Sequence, residues 1–447
     1  MYGKLIKAVL CLLMLGVCLP GAGCAQEPFY TAMPEYLCVE QETKTEEVAG
    51  NVFVLRTYPQ TANEQVNAFM QALVDEMTQT AMPYLPMKTQ KTPTYLDTGA
   101  VITRSGTSWM SFLTLSEISA SREQIYVDAH TRVYDIETGE RIALTDVFDA
   151  DSEAWDVLSD AVRTQLSAAF PGETPDAQQL DALCARETLQ TADFTLGAAR
   201  LTLTYRADAV YPGRQTLLHV HVYYPEIRPM MTERAAAQTD NSRFQMIALT
   251  FDDGGARGST RRVLDQLRRY GAQATFFVVG YTIANNHDIL ARQQDAAYSI
   301  QSHTYSHKYP GELTQEQAFA DKERFSRELC EVIGVPPVMM RAPGGQDAFY
   351  VNRQIGYPII QWSLAGGDSG NRDVAGIYKR VARNAKDGDI VLLHDLNSLS
   401  GEYTRHIVRS LNEKGILCVT MEELFADAGM PLEANQSYYS ARPGGQK

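Results

Sequence analysis

A run of apolar and β-forming residues, IALTFDDGGARG at positions 247–258, ends in two adjacent carboxylates, Asp252 and Asp253. Two histidines, His303 and His307, follow in HTYSH, four residues apart. One helical turn separates residues at this spacing, so both imidazoles can face the same point. With one aspartate they would form a three-ligand metal site with an open position, while the other aspartate stays free as a base. This arrangement is typical of metal-assisted hydrolysis.

The backbone at the two aspartates must be irregular, because a regular strand sends successive side chains to opposite faces. Gly254 and Gly255 permit such a bend.

Each motif has an ordinary alternative when it is taken alone. An HxxxH pair often only fills a surface or a core, and paired aspartates are common in surface turns.

Further polar residues close later strands in the same half of the chain: Arg341 in RAPGG, Asp368 in GGDSG, and His394-Asp395 in VLLHD. In a βα series the strand ends converge on one edge, where the chemistry of such folds gathers. His394 could protonate a leaving group there. Five polar strand ends in one series favour an active site over unrelated surface features.

Strand and helix patterns alternate from about residue 245, which predicts a parallel sheet or barrel. The first half reads as α+β, with helical spacing of apolar residues in NEQVNAFMQALVDEMTQT and two strands around a Thr138-Gly139 turn. The expected organisation is a signal segment over 1–24, an α+β domain over 30–226, a linker over 227–244, a catalytic domain over 245–428 and a C-terminal tail over 429–447.

The N-terminus, MYGKLIKAVLCLLMLGVCLPGAGCAQ, has lysines, a short apolar run and small residues in the order of a secretory signal. GAGC resembles a bacterial lipobox, which predicts export and lipid attachment at Cys24 to the outer face of the membrane. Ordinary cleavage near Ala25, with secretion to the cell wall, is the alternative. The scattered spacing of the other mature cysteines predicts free thiols, not a disulfide framework: Cys38, Cys184, Cys330 and Cys418.

The net charge of −14 argues against a nucleic-acid partner, because a binder of phosphate backbones needs a basic face. His219 and His221 lie two apart on one face of a predicted strand and could hold a metal. Packing is the favoured interpretation, because no third ligand lies nearby in the sequence.

The motifs TFDDG, SHTYSH, RAPGG, a W…GD segment and LLHD occur here in an order that resembles the polysaccharide deacetylase family. This family is also known as carbohydrate esterase family 4 or the NodB homology domain. The resemblance covers about residues 245–425 and implies an α/β fold, with a distorted (β/α) barrel preceded by the α+β domain. VYDIETGERIALTDVF in the first half resembles a domain that precedes the catalytic one in some Gram-positive peptidoglycan deacetylases.

The resemblance assigns catalytic roles residue by residue. Asp252 would be the catalytic base and Arg341 would orient it. His394 would be the general acid, with its pKa tuned by Asp368.

The resemblance also implies one divalent metal and a set of substrate contacts. The metal is expected to be zinc, with cobalt or nickel as alternatives, on Asp253, His303 and His307. The substrate contacts would be a backbone N–H near Gly344 for the oxyanion, Leu392 in the acetyl-methyl pocket, and Trp362. Three positions depart from the family pattern and are expected to alter the bend and the sugar-contacting wall: Gly255 for proline, Ala365 for aspartate and Ser369 for tryptophan.

These assignments imply an exported, metal-dependent enzyme that removes N-acetyl groups from GlcNAc or MurNAc of peptidoglycan, giving an amino sugar and acetate. The enzymatic alternatives are a chitooligosaccharide deacetylase and an esterase of O-acetylated xylan or another polysaccharide. The non-enzymatic alternative is a wall-binding lipoprotein with a decayed barrel. Retention of the expected base, ligands and acid disfavours that alternative.

Overall fold

A computed structural model of the chain describes residues 40–86, 88–105, 108–242, 244–254 and 257–446. The expected signal segment, Cys24, Cys38 and Gly255 lie outside these residues. None of the helices within the described ranges has the length and apolarity required to cross a membrane. Cys184, Cys330 and Cys418 are buried free thiols, as predicted.

The first half of the chain begins with a six-stranded sheet in the order β1-β2-β3-β4-β5-β6. Its β2–β3 pair is parallel and the other pairs are antiparallel. The predicted helix, Glu64–Ala81, makes the crossover that a parallel pair requires, and the Asn63 side chain caps its N-terminus. The strands are β1 (Glu40–Ala49), β2 (Val52–Gln60), β3 (Thr94–Ser105), β4 (Trp109–Ala120), β5 (Glu123–Asp135) and β6 (Arg141–Ile142).

A helical layer and a small antiparallel sheet follow. The helices are Leu144–Val147, Ala154–Ala168, Ala177–Cys184 and Arg186–Gln190, and the strands are β7 (Phe194–Leu196), β8 (Arg200–Arg206) and β9 (Leu217–Tyr223). On β9 the imidazoles of His219 and His221 lie 3.0 and 2.9 Å from the hydroxyls of Thr204 and Thr202 on β8. The two histidines therefore form cross-strand contacts within this sheet.

Two short helices, Tyr224–Ile227 and Glu233–Gln238, lie in and beside the segment expected to be a linker. The side-chain oxygen of Gln238 accepts hydrogen bonds from the backbone N–H groups of Ser108 and Trp109. This segment thus contacts the first sheet. The predicted domain boundaries stay a prediction.

The second half alternates strands with helices. Its strands are β10 (Gln245–Asp253), β11 (Thr275–Val278), β12 (Ser299–Ser302), β13 (Ile359–Ile360), β14 (Leu364–Ala365), β15 (Ile390–His394), β16 (Ile416–Val419) and β17 (Ser437–Tyr438). Its helices are Arg257–Arg269, His287–Asp295, Gln315–Ile333, Asp347–Asn352, Val374–Asn384, Ser400–Asn412 and Met421–Asp427. Apolar side chains of β10, β11 and β15 pack against these helices to form the core.

The parallel strands run in the order β12-β11-β10-β15-β14, and β16 pairs with the first half of β10. Single bridges connect Ser302 to Met340 and Met340 to Ile359, so the sheet continues from β12 to β13. The chain then passes within a few residues from β13 to β14, which pairs with β15. The strands therefore form a distorted barrel, which confirms the predicted α/β architecture.

The register of the barrel strands aligns the ends that carry polar residues. Asp252 on β10 pairs with Phe277 on β11 and with His394 on β15. Val278, at the end of β11, pairs with Ser302 at the end of β12. Residues that follow these strand ends consequently share one mouth of the barrel.

Candidate active site

The two aspartates at the end of β10 diverge because the backbone bends between them. Asp253 and Gly254 have φ angles of 76° and 58°, in the left-handed region that a regular strand never enters. The buried carboxylate of Asp395 fixes this bend: Oδ1 accepts from the Gly254 N–H at 3.0 Å, and Oδ2 accepts from the Thr260 hydroxyl at 2.6 Å. Burial raises the pKa of Asp395 to about 7. The predicted irregularity at this strand end is confirmed.

Asp252 turns inward to Arg341, whose side chain is fully buried. Nη1 of Arg341 donates to Asp252 Oδ1 at 2.7 Å and to the Thr250 hydroxyl at 2.7 Å. Its Nε and Nη2 donate to the main-chain carbonyls of Ile360 and Gln361, both at 3.1 Å. These contacts hold the guanidinium in one orientation, so one oxygen of Asp252 is fixed.

Asp253, His303 and His307 form a group whose potential ligand atoms all lie within 4.8 Å of one another. Asp253 Oδ1 is 3.6 Å from His303 Nε2 and 3.2 Å from His307 Nε2. His303 Nδ1 lies 3.0 Å from the main-chain carbonyl of Arg341, which can only accept, so Nδ1 carries the proton. The lone pair of Nε2 therefore faces the group, as a metal ligand requires.

The two histidines lie on a loop and not on a helical turn, so the predicted local geometry is wrong. Thr304 and His307 have φ angles of 64° and 54°, and the carboxylate of Asp321 accepts hydrogen bonds from the backbone N–H groups of Tyr305 and Ser306. This carboxylate satisfies the loop amides that a helix would have used internally. The imidazoles still converge, with ring centroids 4.9 Å apart.

His394, on the strand next to Asp252, is held by Asp368. His394 Nδ1 donates to Asp368 Oδ1 at 3.1 Å, and the His394 backbone N–H donates to Oδ2 at 2.7 Å. The Tyr403 hydroxyl also donates to Asp368 Oδ2 at 2.7 Å. Burial lowers the pKa of His394, but the hydrogen bond and charge of Asp368 outweigh it and raise the pKa to about 9. The imidazole is therefore protonated at neutral pH.

The residues expected to contact substrate lie along the same mouth. Leu392 and His394 alternate along β15 and are both partly exposed, so they share one face. Gly344 follows Arg341 by three residues in a short 3₁₀ turn and has a φ of 64°. Trp362 is half-buried, with its ring 5.8 Å from the guanidinium of Arg341. The substrate-binding roles of these residues stay predictions.

Three positioning residues were not assigned roles from the sequence: Asp395, Asp321 and Tyr403. Asp395 is adjacent to His394 in VLLHD, but this position does not predict its contact with Gly254, which is distant in the sequence. Asp321 lies inside the helix Gln315–Ile333 among other charged residues. The sequence therefore marks Asp395 only as part of a polar strand end, and it carries no signal that separates Asp321 and Tyr403 from ordinary surface and core residues.

Residues 239–359 match the family described as Polysaccharide deacetylase. Over 192 residues the chain is 34% identical to a peptidoglycan-N-acetylglucosamine deacetylase of Bacillus cereus, and the match covers 40% of this chain and 88% of that protein. This chain belongs to the polysaccharide deacetylase family. Membership confirms the resemblance that the sequence motifs indicated.

A second relative matches a longer part of the chain. The chain is 27% identical over 317 residues to the peptidoglycan-N-acetylglucosamine deacetylase PgdA of Listeria monocytogenes, covering 69% of this chain and 66% of that protein. The chain thus spans just under two thirds of the length of that relative. A solved structure of a family 4 acetyl xylan esterase from Clostridium thermocellum, in complex with a cobalt ion, is similar at 26% identity and a TM-score of 0.42, covering 44% of this chain and 98% of that one.

The family match and the geometry cover different parts of the candidate site. The matched range includes Asp252, Asp253, His303, His307, Arg341 and Gly344. Beyond it lie Trp362, Asp368, Leu392 and His394. The roles expected for these four residues depend on their position at the same barrel mouth, because the family match does not reach them.

Proposed function

We propose that this chain is a metal-dependent hydrolase that removes N-acetyl groups from the GlcNAc or MurNAc of peptidoglycan. One observation carries the proposal: the ligand group of Asp253, His303 and His307 lies beside a buried, arginine-held carboxylate, Asp252. The two relatives named as peptidoglycan-N-acetylglucosamine deacetylases support this choice of substrate.

The ligand group fits a divalent metal. It offers one carboxylate oxygen and two imidazole nitrogens, a set that suits zinc and leaves further positions open. Cobalt or nickel can occupy the same donors. A bound cation would supply positive charge that acidifies water and polarises the acetyl carbonyl.

Asp252 is the proposed general base. Arg341 holds its Oδ1, so Oδ2 remains to accept a proton from the attacking water. Oδ2 lies 3.8 Å from His303 Nε2, which places it against the ligand group. The pairing with Arg341 also neutralises a carboxylate that is otherwise removed from solvent.

His394 is the proposed general acid. Because Nδ1 is engaged by Asp368, the proton on Nε2 is the one available for the departing amine nitrogen. Asp368 keeps the imidazole protonated, since it raises the pKa to about 9. We further propose that the backbone N–H near Gly344 stabilises the oxyanion and that Leu392 contacts the acetyl methyl group.

Peptidoglycan as a substrate requires export, so we propose that the N-terminal segment directs the chain out of the cell. Lipid attachment at Cys24 would hold it at the outer face of the membrane. Both proposals concern residues outside the described part of the chain. Lipid attachment is tested by globomycin-sensitive processing of the chain and by labelling of Cys24 with radioactive palmitate.

Acetate release from purified peptidoglycan by the zinc-loaded chain tests the activity. We expect release that EDTA abolishes, and mass spectrometry of the digested product identifies the deacetylated sugar. Asp252→Asn should keep the metal and lose turnover, whereas His303→Ala should lose the metal. His130→Ala, on the first sheet, is the matched control and should change neither. Acetate from O-acetylated xylan alone, or from no acetylated glycan, would contradict the proposal.

A further inference from the structure

Two aromatic rings flank the glycine pair that follows Arg341. A Cβ atom on Gly344 would lie 2.6 Å from Cε1 of Tyr309, and a Cβ atom on Gly345 would lie 2.9 Å from Cη2 of Trp362. Both glycines have positive φ angles, 64° and 70°. The absence of side chains at these positions is therefore what lets the two rings lie against the backbone at the barrel mouth.

Tyr309 differs from Trp362 in its exposure. Trp362 is half-buried, whereas Tyr309 is 52% exposed, although it lies only two residues beyond the ligand His307. Within the part of the chain that the structure describes, the Tyr309 hydroxyl forms no hydrogen bond. The ring edge thus contacts Gly344 while the hydroxyl and much of the ring stay open to a ligand.

The backbone holds Tyr309 in place. Its carbonyl accepts a hydrogen bond from the Glu312 N–H at 2.9 Å, and Pro310 starts the 3₁₀ turn Pro310–Glu312 directly after it. These contacts fix the main chain at Tyr309, and the tyrosine side chain has few rotatable bonds, so it loses little freedom on binding. Exposed and preorganised aromatic faces with a polar tip are typical of binding sites.

Apolar side chains also follow the neighbouring strands at this edge of the barrel. Tyr281, after β11, and Leu396, after β15, are 58% and 49% exposed. Exposed apolar groups that gather beside a polar site indicate a ligand surface, whereas single ones scattered over a protein need no explanation.

We propose that Tyr309 determines glycan binding by stacking on the apolar face of an N-acetylhexosamine ring. The ring is the one whose acetamide lies at the ligand group of Asp253, His303 and His307. The hydroxyl would donate to a sugar hydroxyl. This inference rests on the proposed function and adds to it a residue that selects a pyranose ring over a free acetyl compound. Tyr309 contacts the sugar and takes no part in proton transfer.

Steady-state kinetics of acetate release from tetra-N-acetylchitotetraose by the full zinc-loaded chain tests the inference. Tyr309→Ala should raise KM about tenfold, the loss of one aromatic contact, and leave kcat within about twofold. Tyr309→Trp should keep KM within about threefold of the wild type, because it retains an aromatic face. Tyr84→Ala removes a tyrosine that is 59% exposed on the first half of the chain, and it should leave both constants unchanged.

Zinc content and melting temperature are measured on every variant. If Tyr309→Ala does not fold, Tyr309→Leu replaces it, and the same rise in KM is expected. An unchanged KM in a folded variant overturns the inference and leaves the proposed function intact. A fall in kcat together with zinc content also overturns it, because Tyr309 would then only support the His307 loop. A wild type inactive on every acetylated glycan overturns both proposals.

Discussion

Nη1 of Arg341 lies 2.7 Å from Oδ1 of Asp252, and both side chains are almost completely removed from solvent. A buried ion pair contributes little net stability when intact, but removing one partner leaves a charge without compensation. Here the guanidinium also satisfies the carbonyls of Ile360 and Gln361, so it connects β10 to the segment that closes the barrel. The ion pair therefore connects two parts of the fold and also positions the proposed base, Asp252.

Arg341→Met should lower the free energy of unfolding by about 3 to 5 kcal/mol, because Asp252 would stay buried without its partner. Urea denaturation monitored by circular dichroism measures the change. Arg324→Met, which removes an exposed arginine paired with Glu328, is the control and should have no measurable effect. Equal effects of the two substitutions would mean that the Asp252 site is hydrated and not buried as described.

Asp368→Asn should move the alkaline limb of the pH profile of kcat/KM to lower pH. A general acid acts only while protonated, and Asp368 raises the pKa of His394 to about 9 against the effect of burial. Without that charge the imidazole loses its proton at lower pH, although Asp252 and Asp253 still favour the charged form. Acetate release measured from pH 6 to 10 gives the limb, and an unmoved limb would exclude Asp368 as the residue that tunes His394.

Asp395→Ala should weaken zinc binding about tenfold or more, as expected when a residue that positions a ligand is removed. Asp395 accepts from the Gly254 N–H and so fixes the turn that aims Asp253 at the two histidines. Competition with a chromophoric chelator measures the affinity. Thr260→Val removes only one hydrogen bond to Asp395 and should cause a smaller loss. Unchanged affinity in Asp395→Ala would mean that the turn holds its shape without this carboxylate.

The sequence predicts the barrel and the positions of its polar strand ends because both depend on local patterns. Apolar β-forming runs such as the one before Asp252 identify strands, and parallel strands place their ends on one edge. The bend after Asp252 was also predictable, since two aspartates can serve one site only if the strand is irregular. Their register with His394 follows from the fold and not from any motif.

Contacts between distant segments set the features that the sequence does not predict. The HTYSH loop departs from a helical turn because Asp321, from the following helix, satisfies its amides. The VMMRAP segment indicates a strand, but it contributes only single bridges at Met340, which connect β12 to β13. Ser437–Tyr438, in the patternless segment after Gly429, pairs with β13. Nothing in the sequence distinguishes Ser437–Tyr438 from a loop until its partner strand is known.

Arg292 connects the first sheet to the barrel helices, and its removal should destabilise the chain by about 3 to 5 kcal/mol. Its guanidinium lies 2.8 Å from Asp97 on β3 and 3.1 Å from Glu117 on β4. Burial raises the pKa of Asp97, but Arg292 and the neighbouring arginines outweigh it and hold that pKa well below its usual range.

A carboxyl group with a depressed pKa adds stability above its unfolded pKa of about 3.9, and the contribution disappears as the pH falls through the folded value. Arg292→Met should therefore lower the free energy of unfolding strongly at pH 7 and less at pH 3. Urea denaturation at both values measures the difference, and Arg269→Met, on an exposed face, is the matched control. If the loss were the same at pH 3 and pH 7, the ion pairs of Arg292 would not be its source, and lost packing of the side chain would explain it instead.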